Sequence, residues 1–350
     1  MEQQAKLTPQ MKHYEDFAGA DIRWMPYVMF YNRTDYRSPA INTDSAGFRI
    51  TETDNGPVSL GEPLPEGEVS LILGASTAFG FGATADAHTI PSLLSQGEGT
   101  VPWLNLAAPA FNSTQELIVF LMHRHSLPRV RDIVVFSGLN NLVVSGLPGA
   151  DEGYGQFFFS GPFFRQLGIM TDQFEKPGQQ PGKLARAARR IGLGGGADKA
   201  KDTDKPALAD PDARIEVALR NALRDLDTLQ YLAVPTGARV RYVLQPTASW
   251  CGKSLTAEEK LLIEENYTER GGVWDLFRQI LEPSVHAVYS QALADACKTR
   301  GIDFLDLNAA FKVAPSRDSW LFTDQPHLND DGNRVAVDIM NAELGLNRPA

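Results

Sequence analysis

The chain has 350 residues, 43% of them hydrophobic and 22% charged, enough for one large domain or two ordinary ones around a sizeable core. Its formal net charge of −10, from 33 basic against 43 acidic residues, argues against nucleic acid as a bulk partner. Two cysteines, Cys251 and Cys297, exclude a disulfide framework, and no apolar run reaches the length of a membrane span, so stable membrane insertion is not expected.

In chain order, the opening stretch MEQQAKLTPQMKHYEDF lacks the apolar core of a signal peptide, which makes a cytoplasmic location the expectation. Residues 1–65 carry aromatics and prolines without a steady period and are read as an extension packed on the main domain. Within them, INTDSAGFRIT suggests a short strand and turn entering that domain. From 66 to 345, strands alternate with helices, the pattern of a doubly wound α/β sheet.

Five continuous apolar runs read as buried parallel strands: VSLIL (69–73), VPWLNL (101–106), DIVVFS (132–137), RVRYVLQ (239–245) and IDFLDL (302–307). Between the second and third, NSTQELIVFLMHRH opens on Ser113 with Glu116 three residues later, a capping-box arrangement. Before the fourth, Asp210 and Pro211 mark a helix start, with Ile215, Leu219, Ala222, Leu226 and Leu229 forming one apolar face. Helical patterns also cover TAEEKLLIEENY, EPSVHAVYSQALADACKTRG and NRVAVDIMNAEL.

An insertion at about 142–209 interrupts this alternation, with a stretch around 192–209 polar enough to be flexible. It leaves the third strand at its carboxyl end, where ligands bind in open α/β sheets, so it is lid-like in position. Phe157, Phe158, Phe163 and Phe164 would then form an apolar wall for an acyl group or sugar face, or would simply anchor the insertion. Lys183, Arg186, Arg189 and Arg190 would suit an anionic ligand or a membrane surface, but read better as a solvated helix face.

The glycine-rich turn LILGASTAFGFGATADAHT (71–89) supplies no lysine for a phosphate-binding loop. Its G-x-G-x-x-A match starts at Gly80, too far past the strand for a dinucleotide turn, and VPWLNLAAP ends without the acidic residue that motif needs. No cofactor is expected. His123 and His125 face different directions on a helix, and neither H-x-x-x-H nor a cysteine cluster occurs, so no metal is expected either. His327, in FTDQPHLNDDGN, is the remaining candidate base, with Asp324 one turn of backbone before it.

Ser76, the NLAAPAFNSTQE segment, SGLNNL and the Asp324/His327 pair all follow strands and so share one edge of a parallel sheet. A serine, a side-chain amide, a small-residue turn with free N–H groups and a His/Asp pair are the inventory for acyl transfer with an oxyanion hole.

On these residues the sequence resembles the SGNH/GDSL hydrolase superfamily over most of 66–345, outside the insertion. Gly74-Ala75-Ser76 is similar to its G-x-S turn, and NLAAPA to its N-x-x-x-P-G block with Ala110 at the glycine position. Gly138-Leu139-Asn140-Asn141 is similar to G-x-N-D, with Asn141 in place of the aspartate, and Asp324 with His327 to D-x-x-H.

The resemblance implies a flavodoxin-like three-layer α/β/α sandwich on a five-stranded parallel sheet. It also implies Ser76 as nucleophile, His327 as base and Asp324 as the orienting acid. The oxyanion hole would comprise the Ser76 and Ala110 N–H groups and the Asn140 amide, Ala110 serving if its φ is negative. The implied activity is serine-dependent hydrolysis or transfer of a small, acetyl-like acyl group on a sugar or other polar metabolite, through an acyl-enzyme. INTDSAGFR is similar to bacterial members acting on sugars or secondary metabolites. The alternative, to which Ala110 and Asn141 point, is a non-catalytic ligand-binding or scaffold protein on the same frame.

Overall fold

The computed structural model describes residues 2–19, 23–25, 27–62, 64, 66–153, 155–161, 163, 210–269 and 277–346. In chain order its strands are β1 (Arg23–Met25), β2 (Met29–Tyr31), β3 (Glu68–Gly74), β4 (Trp103–Asn105), β5 (Arg129–Ser137), β6 (Arg239–Leu244) and β7 (Asp303–Asp306). The last five form one parallel sheet in the order β4-β3-β5-β6-β7. Numbered from its first strand this is 2-1-3-4-5, the flavodoxin-like order, and it places the topological switch between β3 and β5.

Burial on both faces explains why these strands read as continuous apolar runs. Val69, Leu71, Leu73, Ile133 and Val135 face one cluster, shared with Val119 and Phe120, Ile215, Leu226 and Leu229, and Val285, Tyr289 and Leu293. Those partners sit on the helices Ser113–His123, Pro211–Ala233 and Pro283–Thr299. Ile72, Val134, Phe136 and Val243 face the second cluster, with Ile90, Leu94, Leu307, Phe311, Ala336 and Met340. These come from the helices Ile90–Leu94, Leu307–Val313 and Asp330–Leu344, which completes the three-layer sandwich. Each of the larger aliphatic and phenylalanine side chains among them contributes about 1.5–3 kcal/mol by leaving water.

The residues before the sheet form the helices Glu2–Leu7 and Met11–Gly19, the β1–β2 hairpin, and isolated bridges Thr43–Arg49 and Thr51–Val58. They touch both cores. Met11, Tyr14 and Phe17 join the second cluster, while Phe30, Tyr31 and Phe48 join the first.

Two expectations need adjusting. The cap of the Ser113–His123 helix is Asn112, whose side chain accepts from Gln115 N–H at 3.2 Å while Gln115 Oε1 accepts from Asn112 N–H at 3.1 Å. Ser113 and Glu116 are thereby free for tertiary bonds, Ser113 Oγ to Asp225 at 2.7 Å and Glu116 to Ser137 Oγ at 2.6 Å. The helix Leu139–Val144 also runs past residue 142, where the insertion was expected to begin. Phe164, Lys183, Arg186, Arg189, Arg190 and the 192–209 stretch lie outside the described residues.

Candidate active site

β3 ends at Gly74, where a Cβ would overlap the Phe136 carbonyl and the Ala78 methyl, so only glycine lets the chain turn this tightly against β5. The turn starts the short helix Ser76–Phe79, which puts Ser76 at its first position, with its N–H unused by the helix. On the far side of the sequence, the loop before the Asp330–Leu344 helix folds back through a bridge between Phe322 and Leu328. Thr323 N–H donates to the His327 carbonyl at 2.9 Å, closing that loop.

The two loops meet. His327 Nε2 lies 2.7 Å from Ser76 Oγ, and His327 Nδ1 lies 2.7 Å from Asp324 Oδ2. The other Asp324 oxygen accepts from the His327 backbone N–H at 2.9 Å, so one carboxylate fixes both the ring and the main chain of the histidine. An acceptor at Nδ1 leaves the proton on that nitrogen and Nε2 free to accept from Oγ. The Asp324 side chain is 5% exposed and that of His327 13%, so the pair is shielded while Nε2 still reaches the half-buried Ser76. Thr77 Oγ1 donates to the Pro326 carbonyl at 2.9 Å, pinning the serine helix to the histidine loop.

Asn140, on the Leu139–Val144 helix after β5, is buried and donates through Nδ2 to the Phe111 carbonyl at 2.7 Å. An amide nitrogen carries two hydrogens, so one remains. Ala110 differs from expectation, with φ of +63° rather than a negative value. The alanine holds the left-handed conformation that glycine favours, at a cost of about 1–2 kcal/mol. Neither the Ala110 nor the Ser76 N–H donates to another described residue. Asn141 Oδ1 accepts from Ser113 N–H at 3.0 Å, while its Nδ2 is buried without a partner among the described residues.

Of the expected aromatic wall, Phe158 stacks on Phe277 at 6.5 Å between centroids, and the buried Phe163 lies 6.4 Å from Trp24. Phe157 is half-buried. Among the described residues no group of three or more His, Cys, Asp or Glu is placed to hold a metal ion. Both cysteines are buried and free, their thiols pushed up by burial. No helix of the described residues is long and apolar enough to cross a membrane.

Sequence reasoning passed over two neighbours of the Ser76–His327 pair, Thr77 and Phe81, whose ring lies 4.6 Å from that of His327. The signal was present in AFGFG, where an aromatic flanked by glycines suits a turn held against another backbone. It read Glu116 only as a capping residue, whereas burial raises its carboxyl to about 8, with the Ser137 hydrogen bond opposing and Asp225 adding.

The Ser76–His327 bond joins the first and last of the four sequence blocks, and the Asn140–Phe111 bond joins the second and third, on a sheet of order 2-1-3-4-5. The fold is a flavodoxin-like three-layer α/β/α sandwich on a five-stranded parallel sheet. No protein-family profile matches the chain, and no curated protein matches it significantly. Among solved structures it is similar to an extracellular lipase from Streptomyces rimosus, at 12% identity over 79% of this chain and 100% of that one, with a TM-score of 0.43. A GDSL-like lipase from Bacteroides thetaiotaomicron is similar at 11% identity over 79% and 87% of the two chains, with a TM-score of 0.41. An acetyl-xylooligosaccharide esterase from Geobacillus stearothermophilus (a mutant form) gives 11% identity over 81% and 97%, with a TM-score of 0.39. These likenesses are distant, and the architecture rests on the strand order itself.

Proposed function

We propose that this protein is a serine hydrolase or acyltransferase acting on ester bonds, and that Ser76, His327 and Asp324 are its catalytic triad. The observation that carries the proposal is the unbroken chain from Ser76 Oγ through the His327 ring to Asp324 Oδ2, each link 2.7 Å. In the proposed reaction His327 Nε2 takes the Ser76 proton as Oγ attacks the ester carbonyl. Asp324 stabilises the imidazolium so formed. The N–H groups of Ser76 and Ala110 and the free Asn140 hydrogen receive the oxyanion, each donor being worth about 3 kcal/mol in comparable sites. The imidazolium returns its proton to the leaving alcohol, and an acyl group remains on Ser76. Water or an acceptor alcohol, deprotonated by His327, then releases it.

The substrate class we propose is a small, acetyl-like ester on a sugar or other polar metabolite, in keeping with the resemblance of INTDSAGFR to bacterial members acting on such molecules. A fluorophosphonate probe tests the nucleophile and a panel of acetylated sugars and short acyl esters tests the substrate. We expect labelling and turnover in the native protein and neither in Ser76→Ala. A folded protein that takes up no probe, or as much after Ser76→Ala as before, sinks the proposal.

A further inference from the structure

Phe81 is held between two rings from opposite ends of the chain. Its centroid lies 4.5 Å from that of Tyr14 and 4.6 Å from that of His327, the latter pair inclined at 37°. The Tyr14 hydroxyl lies 2.8 Å from the carbonyls of both Gly80 and Ala83, bracketing the turn that presents Phe81. Beside it Arg49 is fully buried, its Nη1 donating to the Phe79 carbonyl at 3.1 Å, the Gly80 carbonyl at 2.9 Å and the Tyr14 hydroxyl at 3.1 Å. The first two acceptors are carbonyls at the end of the helix that begins with Ser76, where no further helical turn follows to bond them. Arg49 Nε is neutralised by Asp86 at 2.8 Å, and Nη2 donates to the Ala40 carbonyl at 2.6 Å.

A buried guanidinium is tolerated only when it is paired and its donors are satisfied. Here Nη1 is given over to one turn and to the tyrosine that brackets it. The same turn is pressed onto the histidine loop: a Cβ at Gly82 would come within 2.6 Å of the Leu328 carbonyl. The chain at Gly82 thus lies about as close to that loop as backbone allows, and the Phe81 ring sits between those of Tyr14 and His327.

We propose that the N-terminal segment belongs to the catalytic centre, with Tyr14 and Arg49 as positioning residues that fix the Gly80–Ala83 turn and Phe81 as the residue that holds the His327 ring toward Ser76. This rests on the reading of Ser76 as nucleophile given above. An apolar face against the imidazole restricts its rotation, so that Nε2 is already aligned with Oγ before substrate arrives.

The test compares Phe81→Leu, Phe81→Tyr and Tyr14→Phe, with fluorophosphonate labelling rate, kcat and KM on a short acyl ester, and the His327 ring-proton resonances, assigned with His327→Gln. Phe81→Leu should slow labelling and lower kcat by about ten- to a hundredfold with KM little changed. It should also remove the ring-current shift on His327. Phe81→Tyr, which keeps the ring, should restore both. Tyr14→Phe, which removes only the hydroxyl, should change them in the same direction by a smaller factor. Arg49 is so deeply buried that its replacement is expected to unfold the chain, and the Tyr14 variant stands in for it. Phe81→Leu labelled at the native rate with an unchanged His327 resonance overturns the inference, as does a loss that Phe81→Tyr fails to restore. If the native protein itself is not labelled at Ser76, the functional reading fails instead, while the ring-current comparison still decides the Phe81–His327 contact.

Discussion

Ser137 Oγ donates to Glu116 Oε1 at 2.6 Å, and the second oxygen of that carboxyl is buried without a partner among the described residues. The bond ties the end of β5, one residue before Gly138, to the helix that follows the Ala110 loop. Two segments proposed to supply oxyanion donors are therefore joined through one buried carboxyl. Burial, opposed by the Ser137 bond and reinforced by Asp225, raises that carboxyl from 4.5 to about 8.

The raised value sets the sign of a pH effect. The folded protein holds the Glu116 proton where the unfolded chain has lost it, so the stabilisation is complete below about pH 4.5 and is lost as pH rises towards 8. At most about 5 kcal/mol is involved. Melting temperature measured across this window should fall for the native protein, and Glu116→Gln should remove that part of the slope. A Glu116→Gln profile that parallels the native one would assign the slope to other groups.

Asn140→Ala removes the proposed side-chain donor to the oxyanion. We expect kcat to drop by about two to three decades with little change in KM, because that hydrogen bond strengthens only as charge develops. Steady-state kinetics on a short acyl ester, alongside a thermal melt, separate this from the structural loss of the Phe111 contact. An unchanged kcat would remove Asn140 from the oxyanion hole.

Asp324→Asn keeps the shape of the loop while offering an amide to His327 Nδ1. The amide can favour the wrong tautomer, leaving Nε2 protonated and unable to accept from Ser76. A comparable substitution in a serine protease triad lowers kcat by about four decades, and a fall of that order is expected here. Activity within tenfold of native, measured on the same ester, would count against Asp324 as the orienting acid.

Ala110→Gly should stabilise the protein. With φ at +63° the alanine methyl is strained, and glycine relieves about 1 kcal/mol while losing some of that gain to unfolded-state entropy. Denaturant melts should show a higher midpoint, with kcat equal to or above native. A lower midpoint would mean that the methyl makes packing contacts worth more than its strain.

Much of the site was legible because it follows from strand ends. Continuous apolar runs mark the sheet, a parallel sheet collects its loops at one edge, and that edge holds Ser76, Asn140 and His327. Local choices were harder. Asn112 and Ser113 are both good caps, and only the reciprocal Gln115 bond in three dimensions selects Asn112. The left-handed backbone of Ala110 leaves no trace in an alanine's identity. Met11, Tyr14 and Phe17 recur at helical spacing and mark a buried face, but nothing in that pattern names Phe81, 67 positions away, as what the face meets.

The Ser76–His327 hydrogen bond joins residues 251 positions apart. Loop closure over that span comes late in folding, after local contacts have formed. As an emerging chain grows, β3 and its serine turn are made long before the loop that carries the base. A nascent or truncated protein can hence own a formed sheet edge and an inert serine at once. With Ser76 as the proposed nucleophile, its reactivity towards a fluorophosphonate would then report docking of the His327 loop, appearing only once the Asp330–Leu344 helix is in place.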